Sequence, residues 1–378
     1  MRGVAMTSDD PRLADPASNV NDAIQDRIIR HMVFLERLKG GEVRDVLRIL
    51  NDEILPNITS RIRDRLEAVS QRGSSLSVAT TRRLESLENL VKRLASDAST
   101  TLSRHLRPRV RELGSDEVDW LVRTIREELK VDLNFELPAA RTIFSAVTST
   151  PFAGNNLEQW FGTLEDSLSN RISQAIRQGI VEGDTVGQIV RRIRGSSSLN
   201  FTDGIYEGTR RGAEAIVRST INHTSNQARL ELFKENSDVL SGLKYTATLD
   251  SRTSLICIGL DGNVYPLDEG PRPPVHVNCR STMTPIIKSA RQLGLRDIPE
   301  TTRASINGQV PGSTTYGEWL RRQPDAVQDE VLGPTRARLF RDGGLEVSRF
   351  TNANLKTLTL EELRVIEKSS FQDAGIEV

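Results

Sequence analysis

The chain has 378 residues, with 51 Lys and Arg balanced by 51 Asp and Glu, so its formal net charge is zero. A general electrostatic nucleic-acid binder carries a basic excess, and this chain has none. It contains no run of about 18 apolar residues that would read as a membrane span, and its first twenty residues lack the apolar core of a secretory leader. Aromatic residues make up 4% of the chain, which suits elongated helical packing better than one large core. Two cysteines do not make a secreted disulfide scaffold, so synthesis in a reducing compartment is expected.

Residues 1–20 are polar and rich in turn formers, and are expected to form a disordered arm. Residues 21–150 are expected to form a helical N-terminal region. Ile24, Ile28, Met32, Leu35 and Leu38 recur at spacings of three and four, and Gly40-Gly41 is predicted to end that helix. A second run carries Val43, Val46, Leu47, Leu50 and Ile54 before Pro56. It resumes with Ile58, Ile62, Leu66 and Val69, and Arg72 to Ser75 reads as a break. Leu84, Leu87, Val91, Leu94 and Ala98 then repeat as a short heptad stripe. That stripe fits a helical hairpin within the chain or a seam to a partner chain. Val118 to Leu129 reads as a separate amphipathic helix, and Val131 to Pro151 as an irregular connection.

Residues 151–300 read as a mixed module. Leu157 to Ile180 is helical. A glycine stop follows, and Thr185 with Gln188 forms a capping box for the next helix. Gly195 to Gly204 is a loop, and Ile205 to Asn236 a long helix. Strands are predicted at Tyr245–Leu249, at Asn263–Pro266 after an Asp261-Gly262 turn, and at Ser281–Ile287. Residues 301–378 are expected to be a helical tail, starting at Thr315 and interrupted at Pro324. The fold class is therefore α+β and predominantly α-helical, with long N-terminal helices and a small cysteine- and histidine-containing α+β module.

That module holds Cys257 and Cys279, the only cysteines, and His276, one of four histidines. Thiolate and imidazole suit zinc, and H-x2-C is a workable ligand pair on one loop. Ser254 stands three residues before Cys257, where a C-x2-C knuckle would have its first cysteine, so a fourth strong ligand is lacking. Water, or a carboxylate from Asp250 or Asp261, could fill that place. Three states fit these residues: reduced thiols packed beside His276, a zinc ion on Cys257, His276 and Cys279, or a Cys257–Cys279 disulfide. A disulfide would add about 3 kcal/mol in the chain-entropy model. Asp250 and Arg252 read as an ion pair pinning a strand end. Ser254 lacks the context of a nucleophile elbow, and neither a phosphate-binding glycine loop nor H-E-x-x-H occurs. No catalytic residues and no cofactor other than zinc are therefore expected.

Asp250, Arg252, Thr253, Cys257, Asp261, Gly262, Pro274, His276, Cys279 and Arg280 together resemble the signature of the phage head-morphogenesis family, the Mu F-like minor capsid proteins. Ser254 and Ser281 depart from it, where the family often has cysteine. The helix carrying Arg218, Thr220, Asn222 and Asn226 resembles the family helix that lies beside the cysteine loop. The tail around Trp319 and Leu332 to Gly343 resembles that of many members. The resemblance spans about Leu164 to Leu363. It implies a minor virion protein of a tailed phage, in the capsid interior or at the portal vertex, assembled in the host cytoplasm without a membrane. The implied partners are the portal protein, scaffolding and major capsid proteins, and packaged DNA. Arg218, Asn222, Asp250, Arg252, Asp261, Gly262 and Arg280 are implied to hold the module together. Two rivals are a DNA-contacting ejection protein using Arg191, Arg192, Arg194, Arg210 and Arg211, and a toxin-like nucleotide-modifying or nuclease enzyme.

Overall fold

The computed structural model describes residues 18–70, 81–129, 134–199, 201–288 and 302–376. They fall into two compact units, each discontinuous in sequence. A helical unit comprises residues 36–113 and 144–224, and a mixed unit takes the chain up to Leu35, then 114–143, then Ser225 onward. The division passes within helices α1 (Ser18–Arg48), α3 (Thr81–Leu129), α4 (Ala140–Ser149) and α7 (Tyr206–Glu235). Most of the expected N-terminal arm, and the expected break at Arg72 to Ser75, lie outside the described residues. Ser18 to Val20 already belong to α1.

In the helical unit, α1 runs through Gly40 and Gly41 instead of ending there. Glycine lowers helix propensity by about 1 kcal/mol per residue, but it stops a helix only when the chain turns left-handed beyond it. A six-residue π-helical turn, Ile49–Ile54, joins α1 to α2 (Leu55–Ser70). There the Leu55 N–H reaches back five residues to the Leu50 carbonyl. This widened turn lies just before Pro56, which has no N–H to give and whose ring crowds the carbonyl four residues back. The Tyr206 hydroxyl donates to the same Leu50 carbonyl at 2.7 Å.

Leu87, Val91, Leu94 and Ala98 of the heptad stripe are buried within the chain. Ser99 beside them donates to the Phe161 carbonyl of α5 (Leu157–Glu182). The stripe therefore packs within the chain, as the hairpin alternative requires. Val118 to Leu129 is not a separate helix, because α3 continues through Pro108 and Gly114. Buried Leu106, Val110 and Leu113 hold that stretch on both sides of the proline, so tertiary burial overrides its local helix-breaking tendency. The predicted irregular connection contains α4, whose Ile143 and Val147, one turn apart, are buried. The capping box of Thr185 and Gln188 opens α6 (Val186–Arg194) as expected. At the α5–α6 turn, a Cβ on Gly179 would lie 2.5 Å from the Ile189 side chain, so only glycine permits that approach.

In the mixed unit, β1 (Leu240–Thr246) is the centre of a three-stranded antiparallel sheet in the order β2-β1-β3. β2 is Val264–Tyr265 and β3 is Thr282–Ile287. β1 begins five residues earlier than its threonine- and tyrosine-rich end suggests. Ala247 to Leu249 leave the sheet because the Asp261 carboxylate captures the Ala247 N–H at 2.6 Å. Leu243 pairs with Tyr265 on one side and Pro285 on the other. The short helix α8 (Leu255–Leu260) lies between β1 and β2 in sequence. The tail is not wholly helical: β4 (Thr302–Ser305) and β5 (Gly308–Pro311) form a hairpin. Five short helices follow, from α9 (Tyr316–Arg321) to α13 (Lys368–Asp373), around the buried rings of Trp319, Phe340, Phe350 and Phe371.

Candidate functional site

The site is built from two short pieces of chain that present polar side chains to each other. The first is the start of α8. Ser254 caps the helix, its hydroxyl accepting from the Cys257 N–H, which places Cys257 one turn into the helix. The second is a tight turn at the end of an irregular segment. The Cys279 N–H donates to the His276 carbonyl, and Asn278 adopts the left-handed conformation at φ 59°. Asparagine accepts that conformation more readily than most residues. The turn brings His276 and Cys279 together.

The three ligand-capable atoms converge. The sulfurs of Cys257 and Cys279 lie 3.6 Å apart, and His276 Nε2 is 3.2 Å from the Cys257 sulfur. One ligand atom from each residue falls within 4.8 Å of the others. Both cysteines are 1% exposed. The Ser254 hydroxyl is 2.8 Å from His276 Nε2. On the other side of the ring, Nδ1 hydrogen-bonds the Val277 carbonyl at 2.8 Å. Nδ1 must be the donor there, so in the neutral ring the Nε2 lone pair faces the sulfurs.

The electrostatics divide the two thiols. A hydrogen bond from Cys257, with the imidazole of His276 nearby, holds the Cys279 thiol well below its ordinary value. The same contact and burial push Cys257 up. His276 is pushed up, chiefly by its contact with Cys279. The hydroxyl of fully buried Tyr245 lies 3.3 Å from the Cys257 sulfur.

Neither carboxylate offered by the sequence as a fourth ligand is free. Asp250 receives a two-pronged bond from Arg280 at 2.5 and 2.7 Å, and its Oδ1 also accepts from the Arg252 N–H. The expected Asp250–Arg252 ion pair is present at 3.9 Å, but it is the weaker of two pairs on this carboxylate. Arg252 serves through its backbone, while its side chain is 79% exposed and 3.9 Å from the carboxylate. Arg280 is the closer partner because its rigid fork matches both oxygens at once. Asp261 is held by Arg303 at 2.8 and 3.0 Å and accepts from the backbone N–H groups of Ala247 and Tyr316. One carboxylate thus ties the chain just past β1 to the start of α9. Gly262 follows at φ 85°, and its N–H donates to the Tyr245 carbonyl.

Of the residues on the preceding helix, Asn226 reaches β3. Its Oδ1 accepts from the Thr282 hydroxyl at 2.9 Å and from the Met283 N–H at 3.1 Å. Arg218 and Asn222 belong to the helical unit. Arg218 pairs there with Glu214 and Glu36. Asn222 is fully buried.

Arg303 and Tyr245 have no cue in the sequence, because each acts on a partner 42 and 12 positions away. A second group of ligand-capable residues, Glu42, Asp45 and His105, lies in the helical unit. There Arg109, 3.5 Å from Glu42, already supplies a cation.

Residues 170–284 match the family model described as Phage Mu protein F like protein. The match takes in Arg218, Asn222, Asn226 and the whole cysteine–histidine unit, and ends within β3. No curated protein and no solved structure shows significant similarity to the chain. Among the described residues, no helix is long and apolar enough to cross a membrane.

Proposed function

We propose that this chain, whose residues 170–284 match the Mu protein F-like model, is a minor structural protein of a tailed-phage head, incorporated at the portal vertex during procapsid assembly. The family match carries this reading to head morphogenesis and to contact with other capsid components. The portal, with scaffolding and major capsid proteins beside it, is the proposed partner, and the virion the proposed location. The character of the module supports a structural role. Its reactive groups are turned inward: both thiols are buried, and the two aspartates are saturated by arginines and backbone N–H groups. A nucleophile or general base has to meet substrate, and these groups face protein.

The DNA-contacting alternative loses ground on the basic clusters. Arg192 pairs with Glu182 and Asp184, and Arg210 and Arg211 pair with Glu207. Arg191 donates to Ser196, and Arg194 stacks on Phe201. Most of that charge is already answered within the chain.

The test is co-expression of the chain with the portal protein of its own phage, followed by affinity capture and native mass measurement. A complex of defined ratio is expected. Failure of the soluble, folded chain to bind the portal would overturn the portal assignment.

A further inference from the structure

The geometry points to a structural zinc site in which Cys257, His276 and Cys279 are the protein ligands and the Ser254 hydroxyl faces the fourth corner. This inference rests on the side chains alone and stands or falls apart from the head-morphogenesis reading. Four observations carry it.

The first is spacing. Zinc holds thiolates at about 2.3 Å in a tetrahedron, which puts two bound sulfurs about 3.8 Å apart. The observed separation is 3.6 Å, whereas a disulfide needs about 2.05 Å. The second is the orientation of His276. Its Nδ1–H is spent on the Val277 carbonyl and its Nε2 lone pair faces the sulfurs, the arrangement by which metal-bound histidines are commonly fixed.

The third is charge. Two buried thiolates and a neutral imidazole balance one divalent cation, so the loaded site is neutral and suits side chains that are 1% exposed. The Tyr245 hydroxyl, 3.3 Å from the Cys257 sulfur, is placed to donate to a thiolate there. The fourth is need. Between β2 and β3 the chain runs through 16 residues, 266–281, without regular structure, and five of its first twelve are exposed. Arg280 anchors the end of this segment to Asp250, only Pro273, Pro274, Cys279 and Ser281 of it are buried, and a metal would join its turn to α8. Asp250 and Asp261 are both committed to arginines; the Ser254 and Ser281 hydroxyls both bond the Cys257 sulfur, and of the two Ser254 also lies 2.8 Å from His276 Nε2, at the fourth corner. Serine is a weaker zinc ligand than cysteine, so the site has three strong ligands and one weak one.

The experiment uses the full chain, purified without chelator under mild reduction. Metal content is measured by mass spectrometry, and affinity for Zn2+ by competition with a chromophoric chelator. About one zinc per chain is expected, with Co2+ substitution giving thiolate-to-cobalt charge-transfer absorption. Cys279→Ser should lose both signals. Because that variant could fail to fold, Ser254→Cys provides an independent readout. It completes a C-x2-C and H-x2-C set and should tighten zinc binding by about tenfold or more. Wild type that binds Zn2+ no better than a Cys257→Ser, Cys279→Ser double variant would overturn the site. So would unchanged affinity in folded Ser254→Cys, or a Cys257–Cys279 disulfide in the metal-free protein as isolated.

Discussion

Glu117 of α3 meets Arg229 of α7 at 2.7 Å with both side chains 1% exposed. The carboxylate also accepts from Ser225 and meets His31 at 2.5 Å, and Arg229 donates to Thr282 of β3. One ion pair thus gathers α1, α3, α7 and the sheet of the mixed unit. Burial alone would push the Glu117 carboxyl up. The Arg229 charge and the bonds from His31 and Ser225 together outweigh it and hold the group at about 2.

Glu117→Gln should destabilise the chain by about 3–5 kcal/mol, because it strands a buried guanidinium. Equilibrium denaturation at neutral pH measures the loss. The pH dependence has a definite sign. A carboxyl lowered on folding contributes stability above its ordinary value of 4.5, and that stability is lost as pH falls from there toward 2. Wild type should show this acid-side loss, and the glutamine variant should lack it.

His223 gives a second, higher window. Its ring is buried against Phe152, and its Nε2–H donates to the Val147 carbonyl. Burial pushes it down to about 4 from an ordinary 6.5. The folded chain therefore resists a proton that the unfolded chain accepts. Stability should fall by about 3 kcal/mol as pH drops from 6.5 through 4. A His223→Gln variant whose stability falls just as steeply across that range would refute the assignment.

The ranking of the two arginines on Asp250 is directly checkable. Arg252→Ala removes an exposed side chain 3.9 Å from the carboxylate and should change stability by less than about 0.5 kcal/mol. Arg280→Ala removes the two-pronged donor and should cost about 1.5–3 kcal/mol. Equal losses in the two variants would mean that both arginines hold Asp250 equally.

Gly262→Ala should cost about 1–2 kcal/mol, from strain at φ 85° and from a Cβ placed 3.1 Å from the Thr315 methyl. Thermal melting of the full chain reports it, and a neutral result would mean the turn can relax.

What the sequence revealed follows the range of the forces involved. The capping box at Thr185 and Gln188 and the Asp261-Gly262 turn are local, so a few residues sufficed to read them. The cysteine–histidine cluster was legible because rare residue types stand out, although its spacing and its buried state were not. The continuity of α3 through Pro108 was hidden, since that proline is tolerated only because distant side chains bury its neighbours. Arg303, 42 positions from Asp261, looked like any exposed arginine. Arg218 carried the resemblance to the family helix, yet its bonds go to Glu214 and Glu36.

The discontinuity of the mixed unit has a consequence for biosynthesis. Asn21 bonds the backbone of Ile287 in both directions, and Gln25 donates to the Gly312 carbonyl. The first turns of α1 thus leave the ribosome early but wait for the far end of the chain before these bonds can close. All segments of the helical unit are present once residue 224 has been made. Vectorial synthesis therefore favours that unit folding first, with the sheet, the cysteine loop and the N-terminal turns assembling together afterwards.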